Sequence, residues 1–153
     1  MEKNVKIKQW LYNACMAFID GRLQTVQNTI NEIHESLLSE TKSSAGDKHE
    51  TGRAMLQLER EKAGNQLAEI KKTKELLSKI DTIKESKIVR LGSVVYTSKS
   101  NYYIAISAGE LEVENQKFYA ISPNTPIGLL LIGKKVNDEV NFRGESFRIE
   151  QLL

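Results

Sequence analysis

Ser43-Ser44-Ala45-Gly46-Asp47-Lys48-His49-Glu50 is the stretch on which the fold turns. Serine and glycine interrupt one long helical pattern here, and an acid opens another. Upstream, from about Val5 to Thr41, there is no proline. Ile19, Leu23, Val26, Ile30, Ile33 and Leu37 step by four, three, four, three and four, an a/d heptad stripe. Asp20, Arg22, Gln24, Asn28, Asn31, Glu32 and Glu35 occupy the other faces, so the stripe is narrow and expects one principal partner. Downstream, from about Asp47 to Ile83, Leu56, Ala63, Leu67, Ile70, Leu77 and Ile80 share one side, with Lys71, Lys72, Lys74 and Glu75 toward solvent. Two such helices joined by a short turn pair most simply as an antiparallel coiled coil. At 1.5 Å per residue an arm of ~35 residues reaches ~50 Å. Such an arm has little core of its own, and Trp10, Leu11, Phe18 and Leu76 are expected to thicken the contact at its open end.

After Ser86 the period changes to that of strands. Ile88–Leu91, Val94–Tyr96, Tyr103–Ile106, Phe118–Ile121, Glu139–Phe142 and Ser146–Ile149 read as short β segments separated by Gly, Asn and Ser turns. Pro126 to Leu131 reads as one short helix with proline in its first turn, and Ser122-Pro123-Asn124-Thr125-Pro126 as a rigid corner. The expected fold is α+β: a helical hairpin over residues 1–84 with an acidic tip near 43–50, then a β domain over 87–153.

Composition narrows the function. Lys+Arg 22 against Asp+Glu 20 leaves a net charge of +2, too little to pull the chain onto DNA or a membrane by field alone. One cysteine, Cys15, precludes an internal disulfide framework and fits a reducing cytoplasm. No apolar run approaches the roughly 20 residues that span a bilayer, and the N-terminus lacks a signal-peptide pattern, so a soluble cytoplasmic protein is expected. No Walker loop, dinucleotide fingerprint or Cys/His metal spacing is present. A thiol enzyme needs Cys and His in one deep pocket, and Cys15 beside Ala14 and Phe18 reads as an inert buried thiol.

The turn itself has two readings. Asp47 at the N-cap with Glu50 three residues on is a capping box worth about 1 kcal/mol to the second helix. The same spacing lets both carboxylates project from one helical turn. Lys42, Lys48, His49 and Arg53 surround them, as phosphate-steering cations or as solvated charges at a helix end. His34 lies on a polar face and reads as a surface residue.

The chain resembles the GreA/GreB family of bacterial transcript-cleavage factors over nearly its whole length. Gly46-Asp47-Lys48-His49-Glu50 is similar to that family's Gly-Asp-x-x-Glu tip. The run from Ile121 to Val140, with Ser122, Pro126, Gly128, Gly133, Lys134 and Lys135, resembles the signature of its FKBP-like C-terminal domain. The resemblance implies a protein that is not itself an enzyme and holds no cofactor stably. Its globular domain would dock on RNA polymerase and its hairpin would enter the secondary channel. Asp47 and Glu50 would there act in trans on a transient Mg²⁺ shared with the polymerase, and backtracked RNA would be cleaved. Mg²⁺ keeps several waters and takes one or two carboxylates, so two tip acids suffice without a complete cage. Lys42, Lys48 and Arg53 would steer RNA phosphate, with nascent RNA reached through the polymerase and only weak direct DNA or RNA contact. A monomer with no membrane partner is expected.

The match has departures. Thr51-Gly52-Arg53-Ala54 follows the second acid where the family commonly has Asn-Ala-Glu-Tyr. Leu129-Leu130 stands where it tends to have a residue and then alanine, and Asn137 replaces its usual glycine before Asp138. Two other functions fit the same features: a regulator that occupies the channel without promoting cleavage, and a coiled-coil adaptor for another protein.

Overall fold

The computed structural model describes residues 2–42 and 47–153; at residues 41, 42 and 47–49 it describes the backbone alone. Helices α1 (Glu2–Lys42) and α2 (Asp47–Ser78) come first. Strands β1 (Val94–Thr97), β2 (Asn101–Ile104), β3 (Gly109–Val113) and β4 (Gln116–Ile121) follow, then α3 (Pro126–Leu131), β5 (Glu139–Phe142) and β6 (Glu145–Leu152). The architecture is α+β, a helical hairpin preceding a β domain with one short helix. The chain divides into two compact units, Ile19–Lys74 and Met1–Phe18 with Glu75–Leu153.

Within Ile19–Lys74 the two helices run antiparallel. Ile33 and Leu37 bury against Ala63, flanked by Ile30 and Leu56. Lys74 Nζ lies 2.7 Å from Asp20 Oδ1, and the Glu40 carboxylate lies beside Gly52. Low numbers on α1 thus meet high numbers on α2. Every residue of the heptad stripe on α1 is buried or half-buried, and the flanking polar residues are exposed. The seam is what holds this unit, because an exposed pair such as Lys74–Asp20 contributes under about 1 kcal/mol.

In the other unit, Ile7, Leu11 and Cys15 are buried at a spacing of four, one face of the first turns of α1. Trp10, expected to thicken this contact, is instead 65% exposed. It sits roughly a third of a turn from the centre of the face that Ile7, Leu11 and Cys15 define. Helix α2 stops at Ser78, short of Ile83. Asp81 Oδ1 accepts the amide hydrogens of Ile83 (2.9 Å) and Lys84 (3.2 Å), a local turn that competes with further helix.

One six-stranded mixed sheet has the order β3-β4-β2-β1-β6-β5. All neighbours are antiparallel except β2 and β4, which pair in parallel with Tyr103 opposite Ala120. The hairpins β3–β4 and β5–β6 close with the two-residue loops Glu114-Asn115 and Arg143-Gly144. All four loop residues have positive φ, the combination whose twist matches that of the strands. A register shift between Tyr96 and Thr97 marks a bulge in the β1–β6 ladder.

The central strands β1 and β2 are buried or half-buried on both faces. On one, Val95, Ile104, Val140, Phe147 and Ile149 pack with Leu131 of α3 and with Val89. On the other, Val94 and Tyr103 are fully buried, and the Tyr103 ring lies near Tyr12 and Cys15 of α1. The strand expected at Ile88–Leu91 is absent. Val89 does exchange two backbone hydrogen bonds, accepting from Gly133 N (2.8 Å) and donating to Lys134 O (2.8 Å), but the turn at Arg90–Ser93 ends the pairing after one residue. Strand β3, in turn, went unread in the sequence, although Leu111 and Val113 alternate with Glu110, Glu112 and Glu114.

Candidate functional site

The tip is the first candidate. Helix α1 ends at Lys42 and α2 begins at Asp47. The connecting residues 43–46 lie outside the described residues, as do the side chains of Lys42, Asp47, Lys48 and His49. The capping role expected of Asp47 therefore also lies outside what is described. The backbone carries Asp47 and Glu50 in the first turn of α2, three residues apart, and Glu50 is exposed. Arg53, one turn further on, is exposed as well. The positive end of a helix favours acids in this turn. Two carboxylates one turn apart suit a hard cation that keeps most of its water, and among the described residues no three His, Cys, Asp or Glu side chains are grouped to hold a metal.

The second candidate is the run from Ser122 to Lys135, and its geometry is that of a tightly built corner. The Ser122 carbonyl oxygen accepts from Thr125 N (3.1 Å) and from Thr125 Oγ1 (2.7 Å). Thr125 is the N-cap of α3, its Oγ1 accepting from Gly128 N at 3.1 Å, and Pro126 follows as the first helical residue, where its missing N–H costs nothing. A β-carbon on Gly128 would collide with the Ser122 carbonyl and stand 2.8 Å from Thr125 Oγ1. Gly133 ends the helix at φ +83°, and its amide hydrogen bonds the Val89 carbonyl.

Beyond Gly133, Asp138 Oδ2 accepts from Lys135 N at 2.9 Å and Asp138 N donates to Lys135 O at 3.1 Å. Asn137 between them has φ +79°, and Asn is among the few residues that visit this region at modest cost. Its presence in place of glycine therefore keeps the turn. Ser122, Pro126, Gly128 and Gly133 thus serve the architecture. Lys134 is half-buried and Lys135 exposed. The same corner presents Leu129 (64% exposed) with Leu130, Ile132 and Val136, an apolar group that the sequence reading did not single out. Its signal was the run Ile127 to Ile132, too long and uniform for a short helix with a single buried side.

A third group was also missed. Lys8, Lys79, Asp81, Lys84 and Arg90 line one cleft in the unit that holds the sheet. The available signal was Lys8 itself, which adjoins Ile7 on the buried face of α1.

What these elements define is an α+β protein with a helical hairpin whose second helix carries two acids in its first turn, and a β domain organised by one capped corner. No protein-family model matches the chain, and no curated protein does. Among solved structures it is similar to the crystal structure of GreA factor homolog 1 (Gfh1) from Thermus thermophilus, with 18% identity over 88% of this chain and 92% of that one, at a TM-score of 0.35. A second structure of the transcription factor Gfh1 aligns with 18% identity over 88% and 90% of the two chains, at a TM-score of 0.34. A likeness at this level assigns neither activity nor partner. Among the described residues, no helix is long and apolar enough to cross a membrane.

Proposed function

We propose that this chain is a transcription elongation factor of the GreA/GreB type, which binds RNA polymerase at its secondary channel and stimulates Mg²⁺-dependent cleavage of backtracked RNA. The observation that carries the reading is the run Ile121 to Val140. Its resemblance to the family signature extends to positions whose residue type the backbone demands, the close approach at Gly128 and the positive φ at Gly133, and the departure at Asn137 keeps a positive φ there. The hairpin with Asp47 and Glu50 in the first turn of α2 supports it further. In this reading the polymerase supplies the catalytic centre and the factor is not an enzyme. Asp47 and Glu50 add carboxylate oxygens to a second, transient Mg²⁺ and orient the attacking water. Lys42, Lys48 and Arg53 steer RNA phosphate, and the exposed Leu129, Leu130, Ile132 and Val136 offer the β domain an apolar docking surface.

The test is a purified backtracked elongation complex incubated with the protein and Mg²⁺, comparing wild type with Asp47→Asn and Glu50→Gln. Shortened 3′ RNA with wild type, and a loss of about tenfold or more with either substitution, is expected. Full activity in both variants, at unchanged helix content, overturns the assignment of the tip acids. The departure at Thr51–Ala54 favours one rival, a factor that occupies the channel without promoting cleavage. It predicts displacement of a cleavage factor from the polymerase with the backtracked RNA left intact.

A further inference from the structure

The cleft that follows α2 has no part in the reading above. Lys8, Lys79, Asp81, Lys84, Arg90 and Ser93 line a space of about 360 Å³. All belong to the unit formed by Met1–Phe18 and Glu75–Leu153. Lys8 is the unusual member, because it is only 3% exposed, and lysine is almost never that deeply buried without a paired charge. Its ammonium donates one hydrogen bond, to the Lys84 carbonyl oxygen at 2.9 Å. An ammonium has three donors, and no second acceptor for it is present among the described residues.

The remaining charges do not neutralise it. Lys79, Lys84 and Arg90 are exposed at the cleft, and among the described residues their side chains make no ion pair or hydrogen bond. Asp81 is the single carboxylate of the lining, and its Oδ1 is already held by the amides of Ile83 and Lys84. Four cationic side chains thus line the cleft with Asp81, and Glu85 is the second acid whose charge reaches Lys8, so the cations stay in excess. Burial pushes the Lys8 ammonium below its ordinary pKa; Glu85 and Asp81 pull it back and Arg90 opposes them, and the net direction stays downward. A cation in that position is short of negative charge.

We propose that this cleft binds an oligophosphate, either free pyrophosphate or the phosphates of a nucleotide, with Lys8 as the buried anchor and Lys84, Arg90 and Lys79 at the mouth. The chemistry selects this class. A guanidinium presents a fork that matches phosphate oxygens, and the lysines add point charges with rotatable donors. The space is on the order of ten water volumes, which is more than one tetrahedral anion fills. Neither this site nor the polymerase reading depends on the other.

Calorimetric titration of the full chain at low ionic strength, with inorganic phosphate, pyrophosphate, adenosine diphosphate, guanosine diphosphate and a short RNA in separate arms, tests it. Saturable one-to-one binding of pyrophosphate or of the diphosphates, tighter than that of phosphate, is expected. Tighter binding of the nucleotides than of pyrophosphate identifies a nucleotide as the source; equal affinity identifies the bare oligophosphate. Lys84→Gln and Arg90→Gln lie on exposed side chains and should fold as wild type does. Each should weaken binding by about tenfold, the worth of one charge-assisted hydrogen bond. Lys8→Met should abolish binding, with circular dichroism reporting whether it still folds. Absence of saturable binding in every small-anion arm overturns the proposal. So does unaltered affinity in both exposed-residue variants, or binding of RNA alone.

Discussion

The Ser122 carbonyl oxygen occupies the space that a side chain on Gly128 would need. The same oxygen is fixed by two donors from Thr125, and Thr125 caps the helix that Gly128 belongs to. Neither partner can move aside without breaking the corner. Gly128→Ala should therefore destabilise the protein by about 2 kcal/mol or more, the range of overpacking in a rigid site. Urea unfolding measures it. A variant as stable as wild type would mean that the corner yields, and that Gly128 stands there for another reason.

Asn137 allows a complementary test. Its φ of +79° is strained for most side chains and easy for glycine. Asn137→Ala should cost about 1 kcal/mol, while Asn137→Gly should be neutral within about half that. Equal losses from both would show that the Asn side chain, not its backbone, holds the turn between Lys135 and Asp138.

Tyr103 carries a defect in the core. It is fully buried, and among the described residues its hydroxyl has no hydrogen-bond partner. Burial pushes the phenol pKa up, with smaller contributions from Cys15 and Tyr12. A buried hydroxyl without a partner costs about 1–3 kcal/mol, so Tyr103→Phe should leave stability unchanged or raise it by up to about that amount. A clear loss on thermal melting would point to a water bound to the hydroxyl.

Cys15 gives a dependence on pH. Burial raises its thiol pKa from 9.0 to about 12, against a small opposing effect of the Ile106 backbone hydrogen bond. The folded state therefore keeps the proton after the unfolded chain has lost it. This contribution is complete below pH 9.0 and is lost as pH rises from there toward about 12. Its slope is at most about 1.4 kcal/mol per pH unit, and Cys15→Ala should flatten the alkaline limb by that much. Parallel limbs in the two proteins would refute it. Thiol reagents at neutral pH should label Cys15 only as fast as the protein opens.

Much of this fold was legible because its helices advertise themselves. The stripe from Ile19 to Leu37 is periodic over more than two heptads, and each of its residues is buried or half-buried. The tight hairpins were harder. Glu114-Asn115 is not a familiar turn pair, since glutamate rarely takes positive φ, so β3 was passed over despite its alternation. Ile88–Leu91 failed for the opposite reason. Its apolar content reflects burial of Val89 under Leu131 and Ile149, which a loop can achieve as well as a strand. The corner residues could be singled out, but only coordinates explain why residue 128 has no side chain. The cleft around Lys8 offered only that lysine beside Ile7 as a signal, because its other cations come from a segment some 70 residues away.

The position of β6 has a consequence for how the domain is made. Although β5 and β6 come last among the strands, β6 lies inside the sheet, between β1 and β5, and Leu153 exchanges backbone hydrogen bonds with Val94. A chain still emerging from the ribosome can assemble β1 through β4 but leaves one flank of β1 bare. Until the β5–β6 hairpin arrives, Val95 and Ile104 are covered on one side only, and nascent chains are most exposed to mispairing with one another during that interval.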